Sequence, residues 1–317
     1  MRVTFNTFPD TLLGRLQSLG GEQNKALTQL STGQRISAPS DDAPAMQRIL
    51  NLRTEKKQNQ QYYRNATDGL EVSKVTFSSL DQIKDLLVRT SELSANVSGV
   101  TSEQEFKAKA SEIDQLIKQG LNVANTKLRG SYLLAGDRSG ETTPPFALNA
   151  LGTKIDYRYE VPSGPTDTSP TAQADNANPQ MHVGEDTTLS AFTTPKENRE
   201  VAVLLNKMIE MKNAMSNAPI AGATKASAVF LLRDDLANQE DTILSALSRA
   251  GTIQYRLETV QKDLELRYES SEKLISTDAD VDFAEATVRL NRSQMAYQAA
   301  IQSGAKIQNN SLLDYLR

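Results

Sequence analysis

Apolar and small residues recur in alternating steps of three and four at both ends of the chain. Near the C-terminus the stripe runs Phe283, Ala286, Leu290, Ser293, Tyr297, Ala300, Gly304, Ile307 and Ser311. Near the N-terminus it runs Leu12, Leu16, Leu19, Gln23, Ala26 and Leu30, ending at Gly33. A mean step of 3.5 residues is the seam of a coiled coil, so both ends are predicted to be helical. Over 281–316 such a helix is on the order of 50 Å long at 1.5 Å per residue. Half of the C-terminal seam is small, which allows close backbone approach but buries little area. This helix is expected to be weak alone and to need several neighbours.

Between the ends the pattern predicts more helix, with one interruption. Residues 34–45 break the first helix; Pro39 and Pro44 bracket the N-cap candidates Ser40, Asp41 and Asp42. A proline-free stripe follows through Tyr63, Ala66, Leu70, Ser73, Phe77, Leu80, Leu87 and Ser94, to about Val97. Ser102 and Glu105 then have capping-box spacing, ahead of Phe106, Ala110, Ile113, Ile117, Gly120, Ala124 and Leu128. Seven of the eleven prolines fall in 137–195. There Ile155–Val161 alternates like a half-buried strand, Met181–Val183 and Thr188–Phe192 are shorter strand candidates, and 162–180 reads as a surface loop. Helix resumes near Lys196 with Val201, Leu204, Met208, Met211 and Met215 on one face, a stripe read as core. A further long helix covers about 224–276, carrying Leu232, Leu236, Ile243, Leu247, Leu257, Leu264 and Leu274.

The expected fold is mainly α: a long antiparallel helical rod with coiled-coil terminal helices, N and C termini paired, and a small β-rich inserted domain at the distal end. Three segments follow. Residues 1–35 plus 283–317 are the terminal coiled-coil rod, 36–136 plus 196–282 the helical rod domain, and 137–195 the β-rich, outward-facing insertion.

Charge changes this picture at the ends. Residues 1–35 and 283–317 each carry six charged side chains in 35, about 17%, against 23% for the chain. A solvated helix face should exceed the average, whereas here amides such as Gln294, Gln298, Gln302, Gln308, Asn309 and Asn310 replace charges. Neutral amides lose less on desolvation than ammonium or carboxylate groups. The ends are therefore read as burying themselves against other copies of the chain, with Leu12, Leu16, Leu19, Leu30, Phe283, Leu290, Tyr297 and Ile307 as inter-subunit packing residues. The plainer alternative is a helical hairpin whose own termini pack together.

The net charge of −4 gives no basic footprint, so no nucleic-acid partner is expected. No apolar run approaches a membrane span, and the first ten residues lack the pattern of an ordinary cleaved secretory signal. With one histidine (His182) and no cysteine, no catalytic residue, metal site or cofactor is expected. The adjacent Asp41 and Asp42 read as helix-cap and dipole partners rather than a catalytic pair.

Several segments resemble one family. LSTGQRISAPSDDAPA (30–45), the Arg249-Ala250-Gly251 and Tyr255-Arg256-Leu257-Glu258 motifs, DADVDFAEATVRL (278–290) and AYQAAIQSGAKI (296–307) are similar to motifs of the flagellin superfamily. RGSYLLAG (129–136) and the final SLLDYLR resemble its hook–filament junction members more than its filament flagellins. The resemblance covers both ends and leaves the middle unmatched.

It implies a structural, non-enzymatic adaptor of the bacterial flagellum joining hook to filament, whose terminal helices fold on assembly. A filament-forming flagellin is the alternative, and an intracellular coiled-coil scaffold a further one. It also implies extracellular placement by flagellar type III export without a cleaved signal peptide. The partners implied are copies of the chain itself, a neighbouring hook-associated junction protein, filament flagellin and a cytoplasmic export chaperone, with no membrane insertion.

Overall fold

The computed structural model describes residues 7–98, 101–149, 151–159, 178–216 and 225–315. Six α-helices account for most of the described residues, and strand is confined to three two-stranded antiparallel pairs. The chain divides into two compact units, Met1–Asn59 with Leu266–Arg317, and Gln60–Glu265. The outer segments 1–35 and 283–317 fall in the first unit, and the strand-bearing segment 137–195 in the second.

Helix α1 (Thr7–Thr32) ends at Gly33, whose positive φ of 70° lets its N–H close on the Gln29 carbonyl. Helix α2 (Ala43–Ala95) starts from Asp42, which accepts the Ala45 N–H at 3.0 Å, with Pro44 in the first turn. Helix α3 (Glu103–Ala124) has the anticipated reciprocal box between Ser102 and Glu105. All six apolar or small positions predicted from Phe106 to Ala124 are buried. The predicted stripe continues to Leu128, but α3 stops earlier: the Asn125 N–H bonds back to the Leu121 and Val123 carbonyls. The next residues pair as strands β1 (Lys127–Leu128) and β2 (Ser131–Tyr132). Their two-residue turn needs positive φ at both positions, which Arg129 (51°) and Gly130 (87°) supply. Asp68 and Glu71 of α2 hold the Arg129 guanidinium and fix that turn.

A 3-10 segment (Leu133–Arg138) leads to β3 (Phe146–Leu148) and β4 (Ile155–Tyr157). The predicted strand from Ile155 is thus three residues long, and its last two predicted positions lie outside the described residues. Strands β5 (Met181–His182) and β6 (Thr188–Leu189) match the other two candidates in shortened form. Of the predicted loop 162–180, only 178–180 are described. Helix α4 (Pro195–Ser216) and helix α5 (Lys225–Ala279) follow, then α6 (Phe283–Tyr315).

Within the second unit, successive helices run antiparallel. Arg89 of α2 bonds Glu112 of α3, Asp114 of α3 bonds Lys212 of α4, Lys207 of α4 bonds Asp235 of α5, and Ser73 of α2 reaches the Ala250 carbonyl of α5. This is an up-down-up-down four-helix arrangement. Its main core includes Leu80, Ile83, Leu87, Ile113, Leu204, Leu205 and Met208, all fully buried. The methionine stripe of α4 is core, as the pattern implied. Two stripe positions differ: Tyr63 of the second unit and Leu274 of the first are exposed, at 40% and 52%.

The strands lie on these helices. The Asn206 side chain of α4 bonds both the N–H and the carbonyl of Ile155, extending the β3–β4 pair by one amide. The β5–β6 pair seats Val183 and Leu189, with Ala191 after it, against Ala66 and Leu257. A Cβ at Gly69 would collide with the Met181 methyl, so this glycine is where β5 approaches α2.

Candidate assembly surface

In the first unit, α1 and α6 pair through the predicted seams. Gly33 lies under the Phe283 ring, Gln23 donates to the Ser293 carbonyl at 3.1 Å, and Leu12 covers Gly304. Each step back along α1 matches a step forward along α6, so the pair is antiparallel. The contact at Gly304 is tight: a Cβ there would stand 2.5 Å from Leu12 Cδ2.

The burial pattern along this seam decides what the pair can do. Its buried members on α6 are Ala286, Ser293 and Gly304, and on α1 Ala26; Gln29 beside the seam is buried too. The large members Leu12, Leu16, Leu19, Leu30, Leu290 and Tyr297 are only half-buried, and Phe283 is 57% exposed. The Ile307 side chain lies outside the described residues. Small groups fill the seam centre and large ones sit at its edge, so two helices alone bury little apolar area.

The seam-facing residues predicted to contact neighbouring copies therefore meet one another within one chain. The apolar groups that remain open lie elsewhere. Leu13 (56%) and Leu27 (49%) flank the α1 seam, two heptads apart with Gly20 between. Ile301 flanks the α6 seam, whereas Val288 (56%) and Met295 (65%) stand one heptad apart on the side of α6 opposite it. Single exposed apolar residues are ordinary. Placed opposite an internal seam on a charge-poor helix, Val288 and Met295 form a second, two-residue apolar face. The sequence signal was present in the heptad spacing, but the stronger seam pattern masked it.

At one end of the pair, the two helix breaks are latched together. The Arg35 N–H donates to the Ala279 carbonyl at 2.6 Å and the Val281 N–H to the Gly33 carbonyl at 3.0 Å. Arg35 also reaches the Asp278 carbonyl, and the Asp278 carboxylate takes a two-pronged bond from Arg48 at 2.9 and 3.0 Å. Ile36, Ala45, Ile49 and Ala279 bury themselves beneath. Asp42 fulfils the predicted cap role, while Asp41 ties the preceding turn, accepting from the Ser37 and Ala38 N–H groups and pairing with Lys25 at 2.8 Å.

The Lys25 ammonium and those backbone donors hold the Asp41 carboxyl well below the usual carboxylate range. A depressed folded-state value contributes stability that is complete above the unfolded pKa of about 4 and fades as pH falls towards the folded one. The stability gap between wild type and Asp41→Asn is thus expected to be constant from pH 8 to 5 and to shrink below pH 4, read by urea unfolding across pH. A gap that widens in acid would contradict this role.

His182 is exposed on β5, and its carbonyl accepts from Asn65. Among the described residues no three His, Cys, Asp or Glu side chains gather as a metal would require, and no helix is long and apolar enough to cross a membrane.

The same regions match known proteins. The family model for the bacterial flagellin N-terminal helical region matches residues 11–139, and that for the C-terminal helical region matches residues 235–316. Phase 1 flagellin of Salmonella naestved is 35% identical over 117 residues, 36% of this chain and 23% of its own length. The match thus spans about a quarter of the curated flagellins' length.

Among solved structures, flagellar hook-associated protein 3 of Legionella pneumophila aligns over 72% of this chain and 98% of its own, at 14% identity and a TM-score of 0.57. Bacillus cereus FlgL aligns over 70% and 97%, at 20% identity and a TM-score of 0.55. At such identities the likeness is one of fold.

Proposed function

As a member of the flagellin superfamily, to which both of its helical ends belong, the chain is, we propose, a structural subunit of the bacterial flagellum that joins hook to filament. The observation that carries the assembly role is the second apolar face, Val288 and Met295, set opposite the seam that α1 and α6 form. A helix pair so thin in its own core is marginal in water, and burying that face against sibling chains supplies what it lacks. The terminal helices thus fold on assembly, exchanging disorder for burial. Residues 137–195 face outward, and the adaptor leaves the cell by flagellar type III export without a cleaved signal, handed over by a cytoplasmic chaperone. Its neighbours are copies of itself, another hook-associated protein and filament flagellin; its role is mechanical, with no catalysis.

The junction reading is supported by coverage: this chain spans nearly the whole length of the hook-associated structures but a quarter of the flagellins. A filament flagellin is the second reading, favoured by the 35% identity to Salmonella flagellin. Purified protein added to filament fragments distinguishes them. A junction protein stops after a short terminal addition seen by electron microscopy, whereas indefinite growth would establish the flagellin reading.

A Leu290→Asp change tests the seam. It places a charge at the α1–α6 contact, so motility should fall to background in a complemented deletion strain. The second unit, which does not contain Leu290, should melt as in wild type. Normal swimming would show that assembly does not depend on the seam.

A further inference from the structure

Thr76 of α2 is 1% exposed, and among the described residues its hydroxyl has no hydrogen-bond partner. Other threonines on the same helix behave differently. Thr54, Thr67 and Thr90 each bond the carbonyl four residues back, at 2.8–2.9 Å. Thr76 instead lines a cavity of about 10 Å³ in the second unit, walled also by Thr193, Glu197 and Arg249 and by the apolar groups of Ala191, Phe192 and Ile253. That volume is close to one water molecule's requirement, and a buried water needs two to four polar partners.

The partners are at hand. Glu197 accepts from the Thr194 N–H and from Arg249, both on Oε2, leaving Oε1 for another donor. Arg249 has further guanidinium N–H groups beyond the one used there. Next to them Thr193 donates to Asn198 at 2.5 Å, and Asn198 donates to the Tyr157 hydroxyl at 3.2 Å, so the cavity adjoins a buried polar chain.

We propose that this cavity is a binding site for one ordered water, which bridges the Thr76 hydroxyl to the Glu197–Arg249 pair. The water ties α2 to α4, α5 and the segment after β6 at one polar point amid apolar layers. Such a bridge favours one packing register, because a slip leaves the buried Thr76 hydroxyl unpaired.

A crystal structure finer than about 1.8 Å, with the Thr76→Val and Thr76→Ser variants, tests this. The expected wild-type map has a single peak within hydrogen-bond distance of Thr76 Oγ1 and of Glu197 or Arg249. Thr76→Ser keeps the peak; Thr76→Val loses it and lowers Tm by about 2–4 °C, the shift for one lost hydrogen bond in a unit of this size. A dry cavity gives the opposite sign, because valine then relieves an orphaned hydroxyl and raises Tm. A featureless map, a Thr76 hydroxyl turned to its own helix, or a valine variant as stable as wild type overturns the assignment.

Discussion

Replacing Val288 and Met295 together by glutamate is expected to abolish incorporation into the flagellum while leaving the purified protein folded. Both side chains are more than half exposed in the single chain, so charges there stay hydrated and should change monomer stability by no more than about 0.5 kcal/mol. In an assembly that buries this face, each unpaired carboxylate costs on the order of 2–5 kcal/mol. At 1.4 kcal/mol per tenfold, two such groups weaken each contact by at least about three orders of magnitude. The readouts are motility of a complemented deletion strain, expected at background, and circular dichroism of the purified variant, expected unchanged. Swimming at the wild-type rate would show that this face does not meet another subunit.

Leu204→Ala should have the largest effect on the stability of the second unit. Leu204 is fully buried in the main cluster with Leu205 and Met208, and α3 closes on α4 at Gly120, where a Cβ would stand 2.7 Å from Leu205 Cδ2. A site packed that closely collapses poorly around a deletion. The expected loss is about 2–5 kcal/mol, or roughly 5–15 °C in Tm for a unit of this size, measured by calorimetry. A loss under about 1 kcal/mol would mean that these helices shift to fill the space.

The helical architecture was legible because each helix carries one dominant period. Phe106 to Ala124 on α3, and Val201 to Met215 on α4, are buried position for position as the pattern implied. The capping box at Ser102 was equally legible, whereas the seams of α1 and α6 are covered mainly at their small members, with Phe283 exposed. The partner of those seams was not legible. A heptad states that a face is covered and is silent on whether the cover is the same chain or another.

Three further features escaped for physical reasons. The end of α3 depends on the Asn125 N–H turning back to Leu121 and Val123, and stripe spacing does not register such a turn. The latch joins residues some 240 positions apart, Arg35 to Asp278 and Ala279, through backbone groups that every residue carries. Val288 and Met295, two apolar residues a heptad apart, are a weak signal beside a nine-membered seam.

We propose that α1 and α6 are too thinly packed to hold together until sibling chains cover their open faces. Hydrogen exchange read by mass spectrometry, on dilute monomer and on assembled flagella, addresses it directly. Amides of 7–30 and 284–315 are expected to exchange near the unstructured rate in the monomer and to be strongly protected after assembly, with α3 and α4 protected in both. Protection of both terminal helices in the solitary chain, equal to that of α3 and α4, would contradict it.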